Sequence, residues 1–465
     1  MPAPTLPAPS AAPPAHRRTV RLTVVLLFAA WLVDYADRLV INLVLPSIGV
    51  EFDLDRTQQG FVVSAFFLAY ALCQIPGGML ADRFGGRRVT LWALLAWSVF
   101  TALTGFAWSF AVLLALRFAF GVAEGVFPPA AMKVLVERTR PEERMGANGT
   151  VMSSNAIAAV ITPLAVAPLV AVFGWRSAFW STAALGLLAL VAVRRWLPAP
   201  LPRGTDGPAP GDDGAPSGDD GAPSGDDGAP SGDDGAPSGD DGVPVAREAA
   251  AASPPLREVL RKGVLWRFSL MMFGYNTIIW GLNTWVPSYL SEEHGVSLTA
   301  AGALVAVPAL GAATATVLGG RLSDRLGGHH RKVIAPGMGV SAAALLLMAN
   351  TPSLTGFVVF GTLAVFAASL AYMPIFAVPM SGLAPEYVGV GGAVIIVGGQ
   401  VAGIVAPPVM GALADAFSFQ VAFGFLVLGA VIAAVMACLT PQDATAFRAV
   451  ADRAPRSPSP AKESA

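Results

Sequence analysis

Residues 77–88 read GGMLADRFGGRR, and residues 319–332 read GGRLSDRLGGHHRK. Both stretches fit the frame GGxLxDRxGG, which aligns Asp82 with Asp324 and Arg83 with Arg325. Each follows a long apolar run (60–76 and 300–318) and precedes another (89–106 and 333–348). A tight, charged connector between two apolar helices, present once in each half of the chain, implies a duplicated membrane unit. Two unrelated loops could share a positive charge, but not the glycines, the Asp-Arg pair and their spacing.

Composition supports the same class. The chain has 465 residues, 54% of them hydrophobic and 13% charged, with a mean hydropathy of +0.60. A membrane-spanning helix needs about 20 apolar residues, so this length accommodates a dozen with short loops. The first apolar run is too long for a signal segment, has no small-residue cleavage site after it, and is read as an uncleaved first span. Cys73 and Cys438 both lie in apolar runs, where packing is expected rather than a disulfide or a metal site. His16, His294, His329 and His330 all fall in expected loops or the N-terminal tail, which excludes a histidine proton relay within the membrane.

The doubled connector resembles the signature loop of the major facilitator superfamily, found between its second and third and its eighth and ninth helices. The resemblance implies an all-α membrane fold of twelve helices in two six-helix halves. It also implies a gating role at the cytoplasmic side for Asp82, Arg83, Arg87, Asp324 and Arg325. The second copy departs from the pattern, because His329 and His330 precede Arg331 and Lys332.

In chain order, residues 1–21 are a Pro/Ala-rich tail expected to be disordered. Residues 22–196 hold six spans, expected at 22–48, 57–80, 89–106, 110–136, 145–173 and 175–196. Residues 263–440 hold six more, at 264–290, 298–318, 333–349, 354–378, 387–414 and 417–439. A second echo supports the duplication: VFGWRSAF at 172–179 and AFSFQVAF at 416–423. Residues 197–262 form a linker with GDDGAPS repeated at a seven-residue period, and residues 441–465 form a C-terminal tail. The repeat has no apolar seam and carries Pro and Gly in every unit, so it reads as a solvated acidic tether. Calcium binding would need a β-roll residue order that it lacks. Lys and Arg concentrate on the loops that share a side with the termini, while the other side has Arg56 and Arg176. Both termini are therefore expected in the cytoplasm, with the chain in the cell membrane.

Ionisable residues within the spans are few and each is costly there. They are Asp34, Asp37 and Arg38 in the first span, and Arg117, Glu124 and the marginal Lys133 in the fourth. Helix rise puts Arg38 roughly 15 Å, and Arg117 about 12 Å, from the outer ends of their spans. Two guanidiniums at one depth suit an anionic ligand held between them, since guanidinium grips carboxylate bidentately. Internal salt bridging is the competing reading: Asp34 is four residues before Arg38, and Asp37 or Glu124 could neutralise an arginine permanently. Asp34 and Lys133 lie off the shared faces or near a helix end and are read as structural. Asp37 and Glu124 remain as candidate proton carriers, because an anion arriving beside the arginines would favour their protonation. Asn42, Tyr70, Gln74, Tyr275, Asn276, Asn283, Tyr372 and Gln400 are further polar groups that could line a cavity.

A narrower resemblance rests on YADR at 35–38, RFAFGVAEGVFPPA at 117–130, ERMGANG at 143–149 and WVPSYL at 285–290. Together they are similar to the anion:cation symporter family. The similarity covers both halves and implies uptake of a small organic anion, such as a sugar acid or an aromatic acid, driven by protons. It implies that Arg38 and Arg117 hold the substrate and that Asp37 and Glu124 couple it to protons. No arginine lies within the seventh span, unlike some branches that carry other anions. The expected partners are therefore a small organic anion, protons and the lipid bilayer, with no cofactor, no metal, no nucleic acid and a monomeric state. A proton-coupled drug or metabolite exporter and an inorganic anion exchanger are the alternatives. The arginine pair disfavours the first, and pH dependence separates the second. A membrane sensor finds no folded output module in the linker. An enzyme finds no nucleophile–base pair, metal cluster or phosphate loop in the spans.

Overall fold

The structure, a computed structural model, describes residues 14–201 and 260–451. The linker repeats, the start of the N-terminal tail and the end of the C-terminal tail lie outside the described residues. The first half comprises α1 (Pro14–Phe52), α2 (Arg56–Phe84), α3 (Gly86–Thr104), α4 (Phe110–Val136), α5 (Pro141–Phe173) and α6 (Trp175–Trp196). The second comprises α7 (Gly263–Glu292), α8 (Leu298–Arg325), α9 (Arg331–Asn350), α10 (Leu354–Ser369), α11 (Tyr372–Gly382), α12 (Pro385–Ala416) and α13 (Phe419–Leu439). A short α14 (Ala444–Ala451) follows. Among the described residues, nine segments are long and apolar enough to cross a membrane, with Leu354–Gly382 counted as one. The more polar α1, α3 and α7 complete a set of twelve spans packed in one bundle.

The duplication seen in the sequence is repeated in the packing. In the first half α2 packs on α4, α1 on α5 and α6, and α3 on α4 and α6. In the second, α8 packs on α10, α7 on α12 and α13, and α9 on α10 and α13. The connector glycines explain part of this. A Cβ on Gly77 would stand 2.7 Å from the Val126 backbone of α4, and one on Gly319 would stand 2.1 Å from the Leu370 carbonyl after α10. Each half thus uses a glycine to bring matching helices into backbone contact. The turn that follows needs glycine for a different reason: Gly85 has φ +88, and Gly327 and Gly328 have φ +72 and +75.

Three features depart from expectation. The first helix begins at Pro14 rather than at residue 22. The tenth span is broken into α10 and α11, because Pro374 has no N–H to offer the Leu370 carbonyl and its ring resists a continuous helix there. The other interior prolines, such as Pro128, Pro129, Pro407 and Pro408, sit within unbroken helices. Thirdly, two histidines expected in tail or loop are engaged. His16 lies on α1 with Nε2 2.9 Å from Glu143, and His330 is fully buried beside Phe268 and 2.9 Å from Thr440 Oγ1.

The halves meet at the end of the bundle remote from these histidines. Arg56 at the start of α2 donates to Glu292 of α7 at 2.8 Å, and its guanidinium lies 3.7 Å from Asp415 at the end of α12. Asp415 also accepts from the Arg56 and Thr57 backbone N–H groups at 3.2 and 2.9 Å and from the Thr57 hydroxyl at 2.8 Å, capping α2 from the other half. Deeper in, the Ser64 hydroxyl donates to the Ile404 carbonyl at 2.6 Å, and the Phe67 and Trp280 rings lie 4.6 Å apart. Among the described residues, the hydrogen bonds joining the halves come from this end. At the other end, which carries most of the arginines, bonds stay within a half. Arg87 donates to the Arg194 carbonyl at 2.9 Å, and Lys133 to Asp82 at 2.7 Å.

Candidate functional site

Five ionisable side chains of α1 and α4 are enclosed in the first half. Asp34, Asp37 and Glu124 are 0% exposed, Arg117 is 1% exposed and Arg38 is 9% exposed. Their helical spacing sorts them into two groups. Arg38 Nη2 donates to Glu124 Oε2 at 2.9 Å and Nε donates to the same oxygen at 3.2 Å. The same Nη2 donates to Asp34 Oδ2 at 3.3 Å, one turn back along α1. The Arg38 guanidinium also lies over aromatic rings, 4.6 Å from the Tyr70 centroid, 5.3 Å from Phe66 and 5.6 Å from Tyr35. Such faces favour a cation held away from water.

Arg117 and Asp37 turn the other way, toward α3 and α6. The Thr101 hydroxyl of α3 donates to Asp37 Oδ2. Arg117 stacks over Phe120 at 4.2 Å and lies 5.6 Å from Phe179 of α6, while its Nε and Nη2 have no hydrogen-bond partner. Asp37 and Glu124 are the acids whose charge acts on it. The Phe66 and Phe120 rings, 5.4 Å apart, sit against one arginine each. In this structure one guanidinium of the expected pair is bonded to carboxylates and the other is not. Arg38 is already held by two carboxylates, and Arg117 is enclosed in the first half. Asp34, read from the sequence as structural and off the shared face, is part of the cluster.

Of the other expected residues, Tyr70 lies against Arg38, with Gln74 one turn along α2 as its hydrogen-bond partner. Asn42, buried with its Oδ1 unpartnered, shares a small cleft with Asn283 of α7 on the side where the halves touch. Asn276 Nδ2 donates to the Met272 carbonyl at 3.2 Å in its own helix, against Gly399 of α12. Gln400 keeps a buried Oε1 without a partner. The α10–α11 break places Tyr372 at the head of α11, where its ring lies 5.5 Å from Tyr275 of α7. Tyr35 and Tyr70 of the first half lie within electrostatic range of Tyr372. Tyr35 and Tyr70 lie over Arg38, and Tyr275 and Tyr372 of the second half pair with each other within range of Tyr35. Tyr35 and Thr101 were not assigned roles from sequence. Tyr35 lies inside the YADR motif, but nothing local to Thr101 marks it as the partner of a residue on α1.

The cationic connectors are separate from this cluster. Asp82 pairs with Lys133 of α4, and the Arg83 guanidinium lies 5.3 Å from the Phe84 ring. Asp324 and Arg325 close the last turn of α8, where the Leu326 N–H bonds the Leu322 and Ser323 carbonyls.

Comparison with known proteins gives one consistent picture. A family model described as "Major Facilitator Superfamily" matches residues 26–329 and 287–463. A "Probable sulfoacetate transporter SauU" of Cupriavidus necator is 30% identical over 83% of this chain and 85% of its own. A "Probable galactarate/D-glucarate transporter GarP" of Escherichia coli K12 is 29% identical over 90% of this chain and 94% of its own. Among solved structures, a bacterial homologue of the human lysosomal transporter Spinster in an inward-facing, unoccupied conformation superimposes with a TM-score of 0.71. It has 20% identity and covers 95% of this chain and 98% of that one, a likeness of fold.

Proposed function

Because the chain belongs to the major facilitator superfamily, and so is a multi-pass membrane transporter rather than an enzyme, we propose that it imports a small organic anion together with protons. The observation that carries this reading is the contact between Arg38 and Glu124, a guanidinium fit for a carboxylate but occupied by an internal one. An incoming carboxylate competes with Glu124 for the same N–H groups. A displaced, buried Glu124 is costly as an anion, and a proton removes the cost. Binding of the anion and binding of a proton then favour each other, which is the requirement for symport. Arg117 is the second substrate arginine and Asp37 beside it a second proton carrier, while Tyr70, Gln74, Asn276 and Tyr372 meet the rest of the substrate. The names of the relatives, one for sulfoacetate and one for galactarate or D-glucarate, support a small, strongly acidic substrate.

In this reading the arginine-rich end is cytoplasmic and the chain sits in the cell membrane. Closure through Arg56, Glu292 and Asp415 then leaves the site facing the cytoplasm. In the outward-facing state Asp82 leaves Lys133, and the two connectors close the cytoplasmic side. Uptake of labelled organic acids into proteoliposomes, with and without an inward proton gradient, tests the whole reading. Gradient-dependent accumulation of one acid, abolished in Arg117→Ala and uncoupled in Glu124→Gln, supports it. The absence of accumulation for every acid overturns it.

A further inference from the structure

The buried cluster holds three carboxylates, Asp34, Asp37 and Glu124, against two guanidiniums, Arg38 and Arg117. With every group ionised, the first half would enclose one uncompensated negative charge with no anion present. Such a charge costs several kcal/mol in a membrane interior. Titratable neighbours offer no further cation. Between Arg144 and its end α5 has no charged residue, α6 has none between Arg176 and Arg194, and α7 none between Arg267 and Glu292. From the elements around Asp34, the groups that face it are Arg38, Asp37 and the phenol of Tyr35 on α1, Glu124 on α4 and the phenol of Tyr70 on α2. Neutrality therefore requires one bound proton in the empty carrier.

The hydrogen bonds select its holder. Glu124 takes two N–H groups of Arg38, at 2.9 and 3.2 Å. Asp37 takes the Thr101 hydroxyl and lies in the field of Arg117. All three carboxylates keep one oxygen buried without a partner, but the other oxygen of Asp34 has one long contact of 3.3 Å, to a nitrogen that already serves Glu124. Asp34 is the least compensated of the three. We propose that Asp34 is a third proton-carrying residue, which holds the resting proton of the empty carrier and passes it to Glu124 when an anion takes Arg38. This extends the symport reading above and rests on it for the second step. In that step the O–H bond of Asp34 breaks and an O–H bond forms on Glu124. Asp34 remains as a carboxylate on the guanidinium, and one proton from solution then restores it. Both carboxylates bond Arg38 Nη2, so the transfer stays within one guanidinium's reach.

The first step needs no substrate to test. Infrared spectroscopy of the purified, substrate-free protein near neutral pH should show the carbonyl band of a buried, protonated carboxylic acid. Isotope-labelled aspartate should shift that band, and Asp34→Asn should remove it. A band that is absent, that is insensitive to the aspartate label, or that persists in a folded Asp34→Asn protein overturns the proposal. If Asp34→Asn does not fold, labelling of the wild-type chain still distinguishes aspartate from Glu124, and Asp37→Asn, which should keep the band, separates the two aspartates. The second step is read in proteoliposomes with the acid identified by the uptake panel. Asp34→Asn should keep substrate counterflow within about twofold and lose most gradient-driven net uptake. Equal loss of both makes Asp34 structural and overturns the relay. A wild-type protein that moves no acid defeats the symport reading, while the infrared result on the resting proton stands by itself.

Discussion

Glu124 reaches from α4 to Arg38 of α1 and closes on it at 2.9 Å, so this guanidinium carries an internal carboxylate. If Arg38 holds the anion as proposed, the affinity of the site is a difference between two carboxylates rather than the full strength of one.

Replacing that internal carboxylate follows directly. Glu124→Gln should bind the transported acid more tightly, by about tenfold if about 1.4 kcal/mol of competition is removed. It should also lose the dependence of uptake on the proton gradient. The amide leaves Arg38 with a poorer acceptor, costing about 1–3 kcal/mol of stability, because Asp34 still holds part of the charge. Binding measured by isothermal titration and the thermal midpoint in detergent check the two effects separately.

The clasp between the halves predicts a population shift. Arg56 bonds Glu292 and Asp415 at part-exposed positions, where an ion pair contributes about 0.2–1 kcal/mol. Arg56→Ala should therefore move the balance toward a state open at this end of the bundle by up to about fivefold, with the fold intact. Asp415→Ala should shift it further, since Asp415 also accepts the Arg56 and Thr57 N–H groups and the Thr57 hydroxyl, and a lost hydrogen bond to a charged group costs about 1.5–3 kcal/mol. Labelling of single cysteines placed at this end of the bundle reads the shift.

His330 makes a prediction about pH. Burial, reinforced by Arg331 and His329, pushes its imidazole from 6.5 down to about 4. The unfolded chain binds this proton more readily than the folded one between these values. Its contribution is therefore fully present above pH 6.5 and is lost as the pH falls toward 4. Each unit of that shift corresponds to about 1.4 kcal/mol. Thermal midpoints in detergent should fall with acidification across this window, and His330→Asn should flatten the slope.

Most of the architecture was legible because it is written in one-dimensional patterns. Apolar length set the number of spans, and the doubled GGxLxDRxGG frame marked the duplication. The glycines of that frame have structural reasons, backbone approach at Gly77 and Gly319 and positive φ at Gly85 and Gly327. The identities of the buried charges were equally plain. Their pairing was not, because it depends on how α1 and α4 are rotated against α2, α3 and α6. That rotation sends Arg117 toward Phe179 and gives Arg38 to Glu124, which depth along a helix does not reveal. Asp34 shows the limit most clearly: its four-residue spacing from Arg38 was visible, but its complete burial was not. Contacts such as Arg56 with Asp415 join residues from opposite halves and have no local signal at all.

Two glycines of α2 separate folding from transport. A Cβ on Gly77 would meet the Val126 backbone of α4 at 2.7 Å, inside the first half, in a contact that both transport states need. A Cβ on Gly60 would meet the Pro408 backbone of α12 at 2.5 Å, a contact between halves that the proposed alternation would break. Neither neighbour is a side chain that can rotate away, and overpacking of this kind costs about 1–3 kcal/mol. Gly77→Ala should therefore lower the thermal midpoint with little change in the balance of states. Gly60→Ala should leave the midpoint of the protein nearly unchanged while displacing it from the closed arrangement, slowing net transport and raising the reactivity of cysteine probes near Arg56. If Gly60→Ala lowers stability as Gly77→Ala does and leaves probe reactivity unaltered, the interface between α2 and α12 is a fixed part of the fold and not a moving gate.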